Sequence, residues 1–368
     1  MAVTWEMSAT RRMLNEGLES RLFYCGAQVY VSVGGECALD YALGLATPRT
    51  AATTDHIFHV WCSTKPIAAL ATLHLAEAGV LDLDRPFESI VPEWAGRPIG
   101  SVTARSAMAH RAGLPPTVPV LGCFLLQSNA VAALGALDLW DMPDGVMYAP
   151  VWGFMAINVV LRVLGVRLEE IIQTTVLDPL EISDCWLPIT SENLSQGASR
   201  IGMNWVQTRN VLRPYPSDGL EVDSFPDFGQ GGYASARALG RFYEAMLTKE
   251  VVERGIVSES TYEMMLAPAG PEGYDPIMQR PCTYGLGVMV DMSKHGFGDA
   301  CSASSFGHSG GTGEMLAFAD PRDDLVVVAT FPTVEIDTNS AISIASRRPH
   351  FVQTIRRDLS LLPPTQVD

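Results

Sequence analysis

Residues 58–79, FHVWCSTKPIAALATLHLAEAG, decide how this chain is read. From Lys65 to Ala78 the stretch is rich in alanine and leucine and closes on Gly79, which predicts a largely buried helix with a glycine cap. Pro66 is compatible because it falls in the first turn, where a missing N–H costs no helical bond. Cys62 and Lys65 stand three apart at the entry to this helix, and that spacing puts both side chains on one face. The thiol also lies near the positive helix end, which favours its thiolate. With seven cysteines and three lysines (Lys65, Lys249, Lys294) in 368 residues, about 0.06 such pairs are expected by chance. The plainer reading is a buried cysteine beside a salt-bridging lysine; the functional one is a nucleophile beside a proton-handling amine.

Working outward, residues 6–20 carry Met7, Met13, Leu14 and Leu18 at helical spacing, an amphipathic opening helix. Residues 23–33 and 36–43 flank Gly34-Gly35, a hairpin signal. Between about 80 and 230, helical patterns alternate with Pro- and Gly-rich loops, clearest at 153–164 and 168–176, while 186–230 reads as polar loop. Strand patterns return at 284–291, 313–319 and 325–331, the last two joined by the DPRDD turn at 320–324. A closing helix fits 341–361, where Pro349 must start, kink or split it. This order predicts an α/β (α+β) fold. An antiparallel sheet flanked by helices is built from residues 1–75 and 232–368, with a mainly helical region, 76–231, inserted between.

Composition narrows the partners. Lys plus Arg number 25 against 41 Asp plus Glu, so the formal charge is −16 and phosphate backbones or anionic membranes are repelled over most of the surface. No run of about 18 uncharged apolar residues suits a membrane span, and the first 20 residues lack the apolar core of a secretion signal. The seven cysteines (25, 37, 62, 123, 185, 282, 301) are odd in number and scattered, as expected of reduced thiols in a cytoplasmic protein. Those other than Cys62 have no charged partner at useful spacing and read as small buried hydrophobes.

The run 58–79, followed by VLDLDRP (80–86) and IVPEW (90–94), resembles the first motif region of serine β-lactamases and penicillin-binding proteins. The pattern is most similar to class C enzymes, related esterases and statin-side-chain-type acyltransferases. MAHRAGLP (108–115) and MPDGVMYAPVWGFMAINVVLRVLG (142–165) resemble later blocks of that superfamily. So do LDPLEISDCW (177–186), GQGGYASARALGRFYEAML (229–247) and FGHSGGTGEMLAFADPRDDLVVVAT (306–330), all in the right order. The resemblance implies the β-lactamase/transpeptidase-like fold.

Carried over position by position, the family's nucleophilic serine falls on Cys62, so S-x-x-K reads C-x-x-K here. Ser63 is no substitute, because one step along a helix turns a side chain by about 100° off the lysine's face. The motif lysine falls on Lys65 and the tyrosine of Y-x-N on Tyr148, with Pro150 in place of the asparagine. K-T-G falls on His308-Ser309-Gly310. Two motifs thus lack groups that hold a β-lactam or peptide, which lowers the expectation of β-lactamase or peptidase activity. The resemblance implies an oxyanion hole from the backbone N–H groups of Cys62 and Gly311, with Ser309 and Gly310 as substrate-binding candidates. Trp61, Trp152 and Phe154 read first as core residues, but Trp152 stands four after Tyr148, which makes it a substrate-binding candidate as well.

The chemistry implied is covalent acyl transfer: Cys62 attacks a carbonyl while Tyr148 and Lys65 relay the proton. Lys65 would serve either as a neutral base or as a cation that lowers the thiol and phenol pKa values. A cysteine exchanges readily with thioesters, since attacking and leaving groups are similarly acidic. The expected donor is therefore an acyl thioester on a carrier protein or coenzyme A, and the acceptor a small molecule, plausibly in specialised metabolism. Hydrolysis by the same residues (esterase, amidase or thioesterase) is the alternative, and a silent acyl-binding protein a third, which intact Lys65 and Tyr148 disfavour. A Cys62–His308 dyad is the competing mechanism. His56, His59 and Cys62 have a metal-like spacing but lack a fourth ligand, so no metal or other cofactor is expected. His110 reads as a loop hydrogen-bonder, and the GQGG at 229–232 lacks the strand and acidic partner of a dinucleotide site.

Overall fold

Gly34 and Gly35 turn the chain at φ of 59° and 77°, where only a residue without Cβ sits at ease. The strands on either side, β1 (Gly26–Val33) and β2 (Glu36–Thr47), pair antiparallel. The computed structural model describes residues 5–19, 25–116, 129–208, 211–214, 226–311, 315–335 and 344–362. β3 (Thr50–Ala51) follows on the edge, and β4 (Met289–Val290), β5 (Phe306–Gly310), β6 (Met315–Asp320) and β7 (Leu325–Thr330) complete a seven-stranded sheet of order β4-β5-β6-β7-β1-β2-β3. Its neighbours are antiparallel throughout. β1 meets β7 from Gln28↔Thr330 to Val33↔Leu325, so the two ends of the chain join at the middle of the sheet.

Both faces are covered, which explains why β6 and β7 read as continuous apolar runs. One face (Val29, Val31, Val327, Ala329) packs under α1 (Ser8–Glu19) and α5 (Ile344–Asp358). The other (Val326, Val328, Ala317) packs against α2 (Lys65–Glu77), α3 (Trp152–Val163) and α4 (Ala236–Leu247). α2 ends at Gly79, φ 74°, as the sequence predicts. The helix expected over 168–176 is α-helical only at Leu168–Ile171 and widens into a π turn over Ile172–Leu177.

Three expectations are corrected. The 284–291 segment forms a strand only at Met289–Val290, because Gly285 and Gly287 (φ 74°) bend it and Leu286 N–H donates to the Met265 carbonyl. Within 186–230, expected as loop, Ser191–Gly197 is helical and Trp205–Thr208 pairs with Val211–Pro214 and, in parallel, with Thr333–Glu335. Cys37 is exposed rather than buried, while Cys123 lies outside the described residues.

α5 is fastened by charge. Arg356, fully buried, pairs with the equally buried Asp320 at the end of β6 and with Asp323 in the following turn. Asp358 accepts from the N–H groups of Ala9 and Thr10 at the start of α1, at 3.2 and 2.7 Å. Arg356→Met strands a buried carboxylate and is expected to cost about 3–5 kcal/mol of unfolding free energy. The check is a lowered urea midpoint at unchanged slope; a loss below about 1 kcal/mol would show the pair to be dispensable.

Candidate active site

The chain reaches α2 through a strained elbow. Phe58–His59 pairs with Tyr233–Ala234, then Trp61 takes φ of 49°, a left-handed setting that costs a non-glycine residue about 1–2 kcal/mol. A 3₁₀ turn over Trp61–Thr64 leads directly into Lys65. In a 3₁₀ turn residues three apart eclipse one another, so Cys62 and Lys65 lie on one side of the elbow. Both are buried.

Lys65 is 1% exposed, and its Nζ donates to the carbonyls of Pro150 (2.6 Å) and Gly229 (2.7 Å). Tetrahedral nitrogen then has one position left, which carries a proton in the ammonium and a lone pair in the amine. A side chain at Gly229 would come within 3.2 Å of the Pro150 oxygen, and one at Gly232 within 2.4 Å of Thr64 Cγ2. The GQGG run is therefore the close-approach surface that lets carbonyl oxygens reach the lysine. Asp227, whose carboxylate accepts from Gly229 N–H at 2.8 Å, is pushed above its ordinary pKa by burial, with Lys65 pulling the other way.

The Tyr148–Pro150 segment is held at each residue. Tyr148 N–H donates to Asp275 (2.8 Å), Ala149 N–H donates to His110 Nδ1 (3.2 Å), and the Pro150 carbonyl holds Lys65. Asp275 is fully buried and also accepts from Tyr284 Oη (2.9 Å) and the N–H groups of Ile277 and Met278. The Tyr148 ring lies 4.5 Å from that of His110, and Lys65 Nζ is 5.6 Å from its centroid. Cys62 and Tyr148 pack in one buried cluster. Burial first, then the neighbouring sulfur, holds this phenol well above its ordinary range, so it keeps its proton at neutral pH.

Cys62, Tyr148, Pro150, Ser309 and Gly311 open onto one cavity of about 440 Å³. Gly311 has φ of 62°, and strand β5 comes so close to the elbow that a Cβ on Gly310 would lie 2.8 Å from the Val60 oxygen. The structure thus gathers Cys62, Lys65, Tyr148, Ser309 and Gly311. Trp152 does not line the cavity. It is 1% exposed in the core, since it begins α3 and points into the helical layer. Gly310 sits against the elbow, and His308, one residue from Ser309 on a strand, points to the opposite face. Its Nδ1 contacts the Ser309 carbonyl at 2.5 Å, its ring is 6.0 Å from that of Tyr148, and burial with the charge of Lys65 keeps it well below its ordinary pKa. His56 and His59 bond locally, to Thr53 and to the Gln230 carbonyl.

The fold and the ordered site point to one family, and its match covers residues 18–339. The chain belongs to the beta-lactamase family. It is 26% identical over 245 residues to the lovastatin esterase of Penicillium rubens, a match covering 59% of this chain and 56% of that one. To esterase EstB of Burkholderia gladioli it is 28% identical over 262 residues, covering 60% of this chain and 65% of that one. The matched stretch spans less than two thirds of either relative. Among solved structures, EstCE1, described as a hydrolase with promiscuous acyltransferase activity, superposes with a TM-score of 0.76 at 18% identity, covering 95% of this chain and 97% of that one.

Within the beta-lactamase frame, sequence reasoning missed Asp275, Asp227 and two further cavity residues, His295 and Arg280. Asp275 reaches Tyr148 across 127 positions, a separation no local pattern reveals. Burial draws His295, and His59 beside the elbow, down to about 4, below the 6.5 of a free histidine. The unfolded chain binds protons first, so this stability is complete above pH 6.5 and drains as pH falls toward 4, by about 1 kcal/mol per pH unit per histidine. Urea midpoints from pH 7.5 to 4 are expected to fall accordingly, and His59→Gln to flatten the slope; equal slopes would remove His59 from the account.

Proposed function

We propose that this protein is an acyltransferase working through a thioester on Cys62. The carrying observation is that Cys62 and Tyr148 open together onto the cavity, with the nitrogen of a lysine fixed between two carbonyls 5.6 Å from the centre of the phenol ring. Cys62 Sγ attacks the carbonyl of an acyl thioester. The new S–C bond forms, the donor's C–S bond breaks, and the thiol proton passes through Tyr148 to the departing sulfur. The donor leaves as a thiol of a carrier protein or coenzyme A. A small acceptor bearing O–H or N–H then attacks the acyl-enzyme, its proton returns through Tyr148, and Cys62 is restored.

Lys65 supplies positive potential beside the phenol, and backbone N–H groups of Cys62 and Gly311 hold the developing oxyanion. His308, turned from the cavity and kept neutral, positions Tyr148 instead of acting as a base. Among the described residues no helix is long and apolar enough to cross a membrane. The described cysteines are all unbridged, which supports a reducing, cytoplasmic setting.

Incubation with acyl thioesters followed by intact-mass measurement is expected to show one acyl group, mapped to Cys62 and absent from Cys62→Ala. Tyr148→Phe is expected to slow its formation by about 10²–10⁴-fold. An unmodified Cys62 would overturn the mechanism. Hydrolysis is a second reading, favoured by the names of the two esterase relatives. Product partition between free acid and ester or amide, with and without added alcohols or amines, separates the two.

A further inference from the structure

The cavity holds two polar groups that the acyl-transfer steps leave unused. His295 closes the 3₁₀ turn Met292–His295 and is 1% exposed at the cavity wall. Its Nε2 lies 2.8 Å from the Thr283 carbonyl, which can only accept, so the ring proton sits on Nε2 and Nδ1 carries a lone pair. Among the described residues that lone pair meets no hydrogen-bond donor, and it lies just behind the cavity surface, shielded from water. A buried acceptor without a partner costs about 1–3 kcal/mol, and a ligand N–H or O–H removes the cost.

Arg280 lines the same cavity and crosses directly over the next residue. A Cβ on Gly296 would lie 2.4 Å from Arg280 Nη1, which sets the guanidinium beside His295. Its one described hydrogen bond is to the Met278 carbonyl, at 3.3 Å. Two arginines line this cavity: Arg348 is buried with its guanidinium 5.3 Å from the Phe297 ring centre, so in a chain of formal charge −16 the exposed Arg280 is the cation that the rim presents to an entering ligand.

We propose that His295 and Arg280 form a recognition subsite for an anionic thioester, Nδ1 accepting from an amide N–H of the donor's arm and the guanidinium taking a carboxylate or phosphate. This rests on the thioester reading above and specifies which thioesters the cavity selects. The anion comes either from the carrier arm or from the acyl group, and both present oxygen atoms to the guanidinium fork.

Three thioesters on the Cys62→Ala protein separate these sources by calorimetry: acetyl-pantetheine, which is neutral, acetyl-coenzyme A, with phosphate on the arm, and succinyl-pantetheine, with carboxylate on the acyl group. One anionic ligand is expected to bind at least about tenfold tighter than acetyl-pantetheine, with the advantage falling as salt rises. Adding Arg280→Ala is expected to erase that advantage. Adding His295→Phe is expected to weaken all three ligands by a similar factor, about five- to tenfold, and His295→Gln, which keeps an acceptor oxygen, to restore most of it. Equal affinities for the three, or an anion preference that survives Arg280→Ala, would overturn the subsite. Unchanged affinity in His295→Phe would remove the His295 half. Binding here is read without a nucleophile, so failure of Cys62 to accept an acyl group leaves this result standing, and the reverse also holds.

Discussion

A lysine buried to 1% exposure is the constraint on which the rest of the site depends. An ammonium group withdrawn from water without partners costs far more than a domain's margin of stability, so the fold must bring acceptors to it. It brings the carbonyls of Pro150 and Gly229, which lie 85 and 164 positions away along the chain. Three segments converge on one nitrogen: the elbow, the Tyr148 loop and the glycine run. Fixing that nitrogen fixes the distance between the phenol and the sulfur, because each belongs to a segment the lysine grips. Hydrogen bonds to charged groups are worth about 1.5–3 kcal/mol each, enough to offset the left-handed turn at Trp61.

The second layer serves the same end. His110 and Asp275 fasten the backbone on either side of the phenol, and the rings of His110, Tyr284 and His308 surround it. Burial beside a cation keeps His110 and His308 unprotonated. Neutral imidazoles can crowd a lysine where cations could not. The cluster is thus a rigid housing for one proton-bearing hydroxyl, with Lys65 at its base.

What could be read in the sequence follows from distance along the chain. The Gly34-Gly35 hairpin, the helix after Lys65 and the apolar runs of β6 and β7 are local patterns, and each was legible. The Cys62–Lys65 pairing was legible because it spans a single turn, and Tyr148 because its block resembles a family motif. Trp152 follows its core reading and not the pocket one, because spacing of four from Tyr148 implies a shared face only within one helix, and α3 starts at Trp152 itself. Asp275 and Arg280 sit on three-residue strands, Gly273–Asp275 and Arg280–Cys282, and His295 ends a four-residue 3₁₀ turn, elements too short to leave a pattern in the sequence. The GQGG run was visible but meaningless until the lysine it faces was located.

The departures from the family pattern fit one another. Where the resemblance sets an asparagine, Pro150 has no side-chain amide, and what it offers Lys65 is its backbone carbonyl. Where it sets a strand lysine, His308 is turned away and neutral, so strand β5 brings no cation to the cavity. On the subsite proposed above, a substrate anion finds its counter-charge in Arg280, which the short strand Arg280–Cys282 brings to the cavity from a different direction. In the mechanism proposed above, sulfur in place of oxygen at position 62 would make the acyl-enzyme a thioester, whose energy lies close to that of a thioester donor. A nucleophile of that kind loses little driving force on loading and keeps enough to acylate an alcohol or amine. Serine would bind the acyl group as a more stable ester. On the proposed function, the sulfur, the Arg280 cation and the backbone anchor belong to one adaptation, in which lysine and phenol stay while the substrate they serve differs.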